Sequence, residues 1–546
     1  IIGVISSSVL PLMRPNGGEF CMKNKFTRRQ VLQTGSAVAA STLVGNLFSP
    51  AFAASAGSKS LIIRSNRTIV STDPGYMIGG FEMVLQFACL ARLSSYTDGD
   101  GWGWKPSMFV NSIEQPDAST IKFELNKGII WYDGETHEAI SELNAEDVKY
   151  SLERMKVAEW KDKAVALDHV EITGSHSGTI HLNAPFAPIW YTWLCDGTGA
   201  IMCKKAIEAA GGKFTGMFDH YCGPYRVKEW VQKQSYSLEL NPNWNGPKPH
   251  ITDVKFVIID DEKTAEIAYE AGEVDITHIS TDTLARYQKD GPPDNTVVKA
   301  YPSTAWMWMG MNTDHPKLQD IRIRRAIQHA VDVETILDAA FAGISPRSRG
   351  IVAPGIVGHR TETKFEKPDL DAARALMAES GVSNLSLELK TMNNTARMAA
   401  STIIQANLAE IGINVDVIPV DAGPFWNLGL ESQGDEWKDL QLYIHQYLDS
   451  PDPSQSSQWF ISDQVGVWNW ERWKDPEFDE LYHKGLTETN EEKRSQMYVR
   501  MQEIMEDTGA YVWITHQPQG LMYKDNLHAS IQPTGWLWYL DRYKWM

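Results

Sequence analysis

The chain has 546 residues and a formal net charge of −18. An acidic chain without a basic cluster argues against nucleic acid and anionic membrane surfaces as partners, and the length allows two or three domains with substantial cores. Past the first 56 residues no stretch approaches the ~20 apolar residues that cross a bilayer, so a soluble product with no direct membrane anchor is expected.

Residues 1–21 read as leader sequence ahead of a start at Met22. From there a basic start (Lys23, Lys25, Arg28, Arg29) precedes a modestly apolar run to Phe48 and the small-residue sites Ala51-Phe52-Ala53 and Ala54-Ser55-Ala56. Residues 22–56 therefore read as a cleavable export signal cut near Ala53 or Ala56. Its paired arginines resemble a twin-arginine signal; an ordinary secretory signal that happens to hold Arg-Arg is the alternative. Cys89, Cys195, Cys203 and Cys222 match no zinc spacing. One or two disulfides, with Cys195–Cys203 the nearest pair along the chain, and free buried thiols are both compatible with export.

Leu61-Ile62-Ile63 starts a strand, and Thr120 to Leu125 alternates with period two. Asn144 stands where it can cap a helix whose first turn holds Glu146 and Asp147. From Gly223-Pro224, two alternating strands (Tyr236, Leu238, Leu240 and Val254, Phe256, Ile258) flank an Asn/Pro/Gly turn, and a following helix stops at Gly272. Thr304 to Asn312 alternates again, and Ile321 to Asp332 is an amphipathic helix. Asp369–Gly381 predicts a short helix, Leu385 to Leu389 a strand, Thr395–Ile411 a helix stopped by Gly412, and Ile413 to Val417 a strand. Strand and helix alternate, which predicts an α/β lobe.

The stretch Cys222–Ile276, the Asn144-Ala-Glu-Asp-Val helix start with Arg154, Asp449-Ser-Pro-Asp-Pro453 and Asn469-Trp-Glu-Arg-Trp473 with Pro476 resemble, in order, the family 5 extracellular solute-binding proteins. These are peptide, nickel and opine receptors of ABC importers. One phrase departs: the residues after Pro106 read Met108-Phe-Val-Asn-Ser-Ile113. The resemblance covers essentially all of residues 58–546. It implies an α/β fold of the two-lobed periplasmic-binding-protein type (type II, cluster C-like), with a hinge between lobes and an extra subdomain inserted in the first. Lobe I would take residues 58–98, 217–302 and 520–546, the inserted subdomain 99–216, and lobe II 303–519. The hinges would lie near 300–305 and 517–522. The implied function is capture of a short peptide or amine-bearing solute for an ABC transporter permease, by a periplasmic monomer that is no enzyme and needs no cofactor or metal.

Aromatic faces suit a receptor for varied organic ligands, and Trp306, Trp308, Trp426 and Trp468 fall where a cleft is expected. Trp306 and Trp308 share a strand face and should be buried, or line a cleft, together. Alternation also puts Tyr443, His445, Tyr447 and Asp449 on one face, with Ile444 and Leu448 on the other. In peptide-binding family members the acid opening the Asp-x-x-Asp-Pro phrase holds the ligand's amino group. The resemblance gives that role to Asp449, whereas a turn-capping role is the plainer alternative. The loop from Thr72 to Gly80 lies against the ligand in relatives; Tyr76 offers a wall, and Gly79 and Gly80 allow close backbone approach. Arg347, Arg349, Arg360 and Arg397 could take a ligand carboxylate, and the sequence does not rank them.

No Gly-x-Ser-x-Gly elbow, His-Glu-x-x-His or phosphate loop occurs. The competing readings are a twin-arginine-exported enzyme, a chaperone-like peptide holder, and a receptor for an opine, sugar derivative or metal chelate.

Overall fold

The computed structural model describes residues 60–77, 79–97, 102–448, 450–532 and 539–546. The leader and export-signal readings, and Asp449, lie outside the described residues. Numbering the strands of the two large sheets along the chain gives β1 (Ser60–Ser65), β2 (Tyr225–Val231), β3 (Ser235–Leu240), β4 (Asp253–Ile258), β5 (Ile276–Ile279) and β6 (Thr296–Tyr301). These are followed by β7 (Trp306–Met311), β8 (Leu385–Met392), β9 (Ile413–Val420), β10 (Leu442–Tyr447), β11 (Tyr511–Thr515) and β12 (Gln519–Lys524). The first sheet runs β2-β3-β4-β1-β5-β12-β6 and the second β9-β8-β10-β7-β11.

In the first sheet β4 and β5 flank β1 in parallel, with Leu61 opposite Val254 and Ile63 opposite Phe256. Those residues are buried under helix α1 (Gly80–Cys89), which adds Phe81, Val84, Leu85 and Ala88 to the same core. Between α1 and β2 a four-stranded antiparallel sheet (Val110–Asp117, Thr120–Leu125, Ser177–Leu182, Leu167–Gly174) is inserted. Helix α2 (Ala145–Arg154) packs on it and begins with a capping box: the Asn144 side chain accepts from the amides of Glu146 and Asp147, and Asp147 accepts from the Asn144 amide. That satisfies amides that would otherwise be orphaned at a helix start. The departing phrase Met108–Ile113 also supplies core, through Phe109, Val110 and Ile113.

The second sheet is built by alternation. Leu385, Leu387 and Leu389 of β8 and Ile413 and Val415 of β9 turn one face toward helix α3 (Thr395–Ala409), which buries Ala400, Ile404 and Leu408 against them. Gly381 (φ 72°) and Gly412 (φ 80°) take the left-handed conformation that lets the chain leave a helix and turn into β8 and β9. Cys89, Cys195, Cys203 and Cys222 are all free and buried, so the disulfide alternative, Cys195–Cys203 included, is set aside. The Cys195 thiol hydrogen-bonds Ser94 Oγ at 3.2 Å, and burial pushes its pKa up to about 12.

The chain passes between the sheets at 302–305 and 516–518. The strands before and after these passages are neighbours: Tyr301 pairs with Gln519 in the first sheet, and Met307 with Thr515 in the second. His516 joins the two passages. Its Nδ1 lies 3.1 Å from the Ala305 carbonyl and its Nε2 3.2 Å from Ser348 Oγ.

Burial lowers the His516 pKa from 6.5 to about 3. The folded state keeps the ring neutral while the unfolded chain protonates it, so this contribution is complete above about pH 6.5 and declines as pH falls toward 3. Urea unfolding across that window should show the wild type losing up to about 1.4 kcal/mol per pH unit more than His516→Gln. Equal slopes would place the acid sensitivity elsewhere.

Candidate functional site

Parallel strands aim their carboxyl ends at the place where α/β sheets bind ligands. In the first lobe Asn66 and Arg67 follow β1. In the second, Leu448, Ser450 and Pro451 follow β10, and Thr304 precedes β7. These residues face one another across a cavity of about 400 Å³, an interlobe cleft. Leu448 is 55% exposed there, an apolar side chain held open to the cleft.

The segment Ser71–Met77 leads into the first lobe's wall, where Met77, Gly79 and Gly80 line the cleft. The segment's anchor is buried Asp73, which accepts two bonds from Arg154 (2.8 and 3.0 Å) and one from the Gly75 amide (3.0 Å). A side chain at Gly79 would come within 3.3 Å of Arg67 Nη2, so the loop backbone lies close over that guanidinium. Arg67 in turn pairs with buried Glu82, its Nη1 donating to Oε1 at 2.9 Å. Tyr76 turns elsewhere: Lys213 Nζ sits 3.5 Å over its ring, and it packs against the first lobe's core.

The two aromatic stripes of the second lobe meet as neighbouring strands, with Trp306 opposite Tyr447 and Trp308 opposite His445. Trp308 stacks on His445 at 5.2 Å, and Trp426 meets the same ring edge-on at 4.9 Å. Tyr443, His445, Trp306 and Trp308 are buried. Trp426 is 36% exposed and Trp459 and Trp468 are partly buried around Tyr447, and none of these second-lobe aromatics lines the cavity of about 400 Å³. Burial, and then the nearby Arg397 charge, hold the His445 pKa well below its ordinary value, so the ring is neutral. Beneath this layer Glu471 accepts from Trp308 Nε1 at 2.6 Å, and burial raises its pKa to about 7.

Several cleft residues escaped the sequence reading. Arg67 could have been found from its place just past a parallel strand. Trp102 and Lys163 could not, because one sits in a loop and the other in a single short helical turn (Lys161–Ala164) of the insertion. Lys163 Nζ reaches across to Gln455 Oε1 at 3.1 Å and Ser450 Oγ at 3.5 Å. Trp102 packs on the second lobe's aromatic cluster and stands 6.2 Å from Tyr96 of the first. The Ala187 amide donates to the Leu486 carbonyl at 2.9 Å as a further bridge. Among the described residues no three His, Cys, Asp or Glu side chains come together as a metal cage, and no helix is long and apolar enough to cross a membrane.

A two-lobed α/β protein with its cavity at facing strand ends is built as a solute binder. The chain matches the bacterial extracellular solute-binding proteins, family 5 (middle), over residues 104–479, and it belongs to that family. It is 24% identical over 470 residues to the probable D,D-dipeptide-binding periplasmic protein DdpA of Escherichia coli, covering 81% of this chain and 85% of that one. It is also 24% identical over 528 residues to the periplasmic oligopeptide-binding protein OppA of the same species, covering 89% and 92%. The fold is that of the ABC transporter substrate-binding protein CtaP of Listeria monocytogenes, with a TM-score of 0.76, 21% identity, and coverage of 89% of this chain and 99% of that one.

Asp452, in the phrase after β10, does more than start a turn. Besides capping Ser454 it takes a buried two-bond contact from Arg494 at 2.8 and 2.7 Å. Removing one partner of such a pair strands the other charge, so Asp452→Ala should cost about 3–5 kcal/mol in denaturant unfolding. A loss below about 1 kcal/mol would reduce the pair to the worth of a surface contact.

Proposed function

We propose that this protein is a periplasmic receptor that captures a short peptide or other amine-bearing solute between its lobes and delivers it to the permease of an ABC importer. One observation carries the reading: the cavity of about 400 Å³ lies between the Gly79-Gly80 loop of one lobe and the residues flanking Asp449 of the other. That size is in the usual range for small-molecule sites, roughly 300–1,000 Å³. The names of the relatives, a D,D-dipeptide binder and an oligopeptide binder, support a peptide.

In this reading Asp449 takes the ligand's ammonium. A carboxylate suits that task because charge-assisted bonds strengthen where water is excluded. Tyr447, Trp426 and Trp468 supply apolar area near the rim, and His445, Tyr443, Trp306 and Trp308 support them from below. Tyr76 props the glycine loop instead of touching ligand. The lobes close by bending at the two passages between sheets, and ligand favours the closed form through contacts available only there. The protein binds and releases its solute unchanged. Export uses a twin-arginine-type signal within residues 22–56, and the receptor works as a monomer.

Calorimetric titration with Ala-Phe and N-acetyl-Ala-Phe tests the ammonium site. Asp449→Asn should weaken Ala-Phe by about 2–5 kcal/mol and leave the acetylated peptide little changed. Unchanged affinity for Ala-Phe would return Asp449 to a turn-capping role.

A further inference from the structure

Among the described side chains that line the cavity of about 400 Å³, three carry charge: Arg67, Lys163 and Asp196. The two cations are engaged. Arg67 pairs with buried Glu82, and Lys163 donates to Gln455 and Ser450. Asp196 is the one carboxylate of this lining, and no described cation pairs with it. Its bonds stay within its own turn: Oδ1 accepts from the Thr198 amide at 3.0 Å and from the Thr198 hydroxyl at 2.7 Å. Oδ2 accepts from no described residue.

Close packing holds that carboxylate in place. A side chain at Gly197 would come within 2.6 Å of Met83 Cγ and 3.0 Å of Met77 Sδ, so the turn Gly197–Gly199 is pressed against two buried methionines that also line the cavity. The Asp196 amide donates to the Trp193 carbonyl at 3.0 Å. Aromatic rings complete the wall. Trp160 Nε1 donates to the Met77 carbonyl at 2.9 Å, which fixes the indole at the cavity while 39% of the residue stays exposed. Tyr96 donates its hydroxyl to the Tyr191 carbonyl at 2.5 Å and meets Trp102 edge-on at 6.2 Å. Burial, and then the nearby Asp196 charge, raise the Tyr96 pKa well above its ordinary value, which places the carboxylate close to that ring.

Aromatic faces, thioethers and one uncompensated carboxylate are the surroundings that suit a cation on an aliphatic arm. The ring quadrupoles attract the charge, the rings and sulfurs cover the methylenes, and the carboxylate supplies a charge-assisted hydrogen bond. An apolar side chain would gain the same cover but would take water from Asp196 without replacing it. We infer that this wall of the first lobe is a cation subsite, in which Asp196, Tyr96, Trp102 and Trp160 take an ammonium or guanidinium group of the solute. The inference rests on the cavity being the solute's site, as proposed above, and it adds the ligand's class: a solute with a second positive group besides the amine assigned to Asp449, such as a peptide that carries lysine or arginine.

Calorimetric titration of the full exported protein tests this with four probes: Ala-Lys and Lys-Ala, and their counterparts Ala-norleucine and norleucine-Ala, which keep the arm and drop its charge. In one of the two pairs the wild type should bind the lysine peptide about tenfold tighter or more, and the pair that shows it assigns the position. Asp196→Asn keeps the Oδ1 acceptor of the turn and should bring that pair to within about threefold. Trp160→Leu keeps apolar cover without a ring and should cut the preference by about threefold. If peptides bind and the wild type shows no preference for lysine, or prefers norleucine, or either variant keeps the preference in full, the inference falls while the peptide reading stands. If none of the four binds, the peptide reading fails, and 1,5-diaminopentane dihydrochloride against sodium chloride at equal ionic strength decides for Asp196. The diamine raising the unfolding temperature of the wild type alone supports the inference; equal shifts in the wild type and Asp196→Asn overturn it. Ligand-free Asp196→Asn should unfold close to the wild-type temperature, since the bonds of the turn remain. A marked loss of stability in that variant would make Asp196 structural and contradict the inference.

Discussion

The hydrogen bond between His516 and the Ala305 carbonyl sits where the chain passes twice, side by side, between its two sheets. The strands on either side of the passages pair in both sheets, Tyr301 with Gln519 and Met307 with Thr515. Two adjacent crossovers join the lobes. They also fix which strand ends face each other. With β1 ending at the cleft on one side and β10 on the other, the loops that must bind anything are those after these strands, and the cavity lies there.

Among the described residues the contacts across that cleft include a lysine to a glutamine and a serine, a main-chain hydrogen bond to Leu486, whose side chain packs on the first lobe's core, and Trp102 packed against the opposite aromatic cluster. Exposed ion pairs and isolated hydrogen bonds are worth roughly 1 kcal/mol each. In the proposed reading a solute that bridges both walls adds to these contacts and so favours the closed form. Buried charge is distributed accordingly. Asp452–Arg494 and Asp73–Arg154 are satisfied pairs that hold loops in place, whereas Arg397 has no carboxylate partner among the described residues.

Much of the fold was legible because local chemistry agrees with it. The period-two runs at Leu385 and Ile413 became β8 and β9, the Asn144 cap and the Gly381 stop fell where expected, and the ordered phrases named the family. Face-sharing was legible too: Trp306 with Trp308, and Tyr443 with His445 and Tyr447. Which face meets solvent was not, since periodicity reports equivalence and not exposure. A second aromatic strand and Trp470 cover Tyr443 and His445, and these come from distant parts of the chain. Leu448, assigned by alternation to the apolar face, stands open to the cleft because the strand ends one residue before it. Lys163, Trp102 and the isolation of Arg397 depend on long-range placement, which no local pattern encodes.

The central claim is that the cleft holds a solute and returns it unchanged. Native mass spectrometry of protein purified under mild conditions tests it most directly. The predicted spectrum shows one small molecule bound noncovalently per chain, carrying an amine, released intact on unfolding and displaced by added peptide. A protein that binds no solute under these conditions or on adding peptides, or one that reproducibly converts its passenger, would contradict the receptor reading.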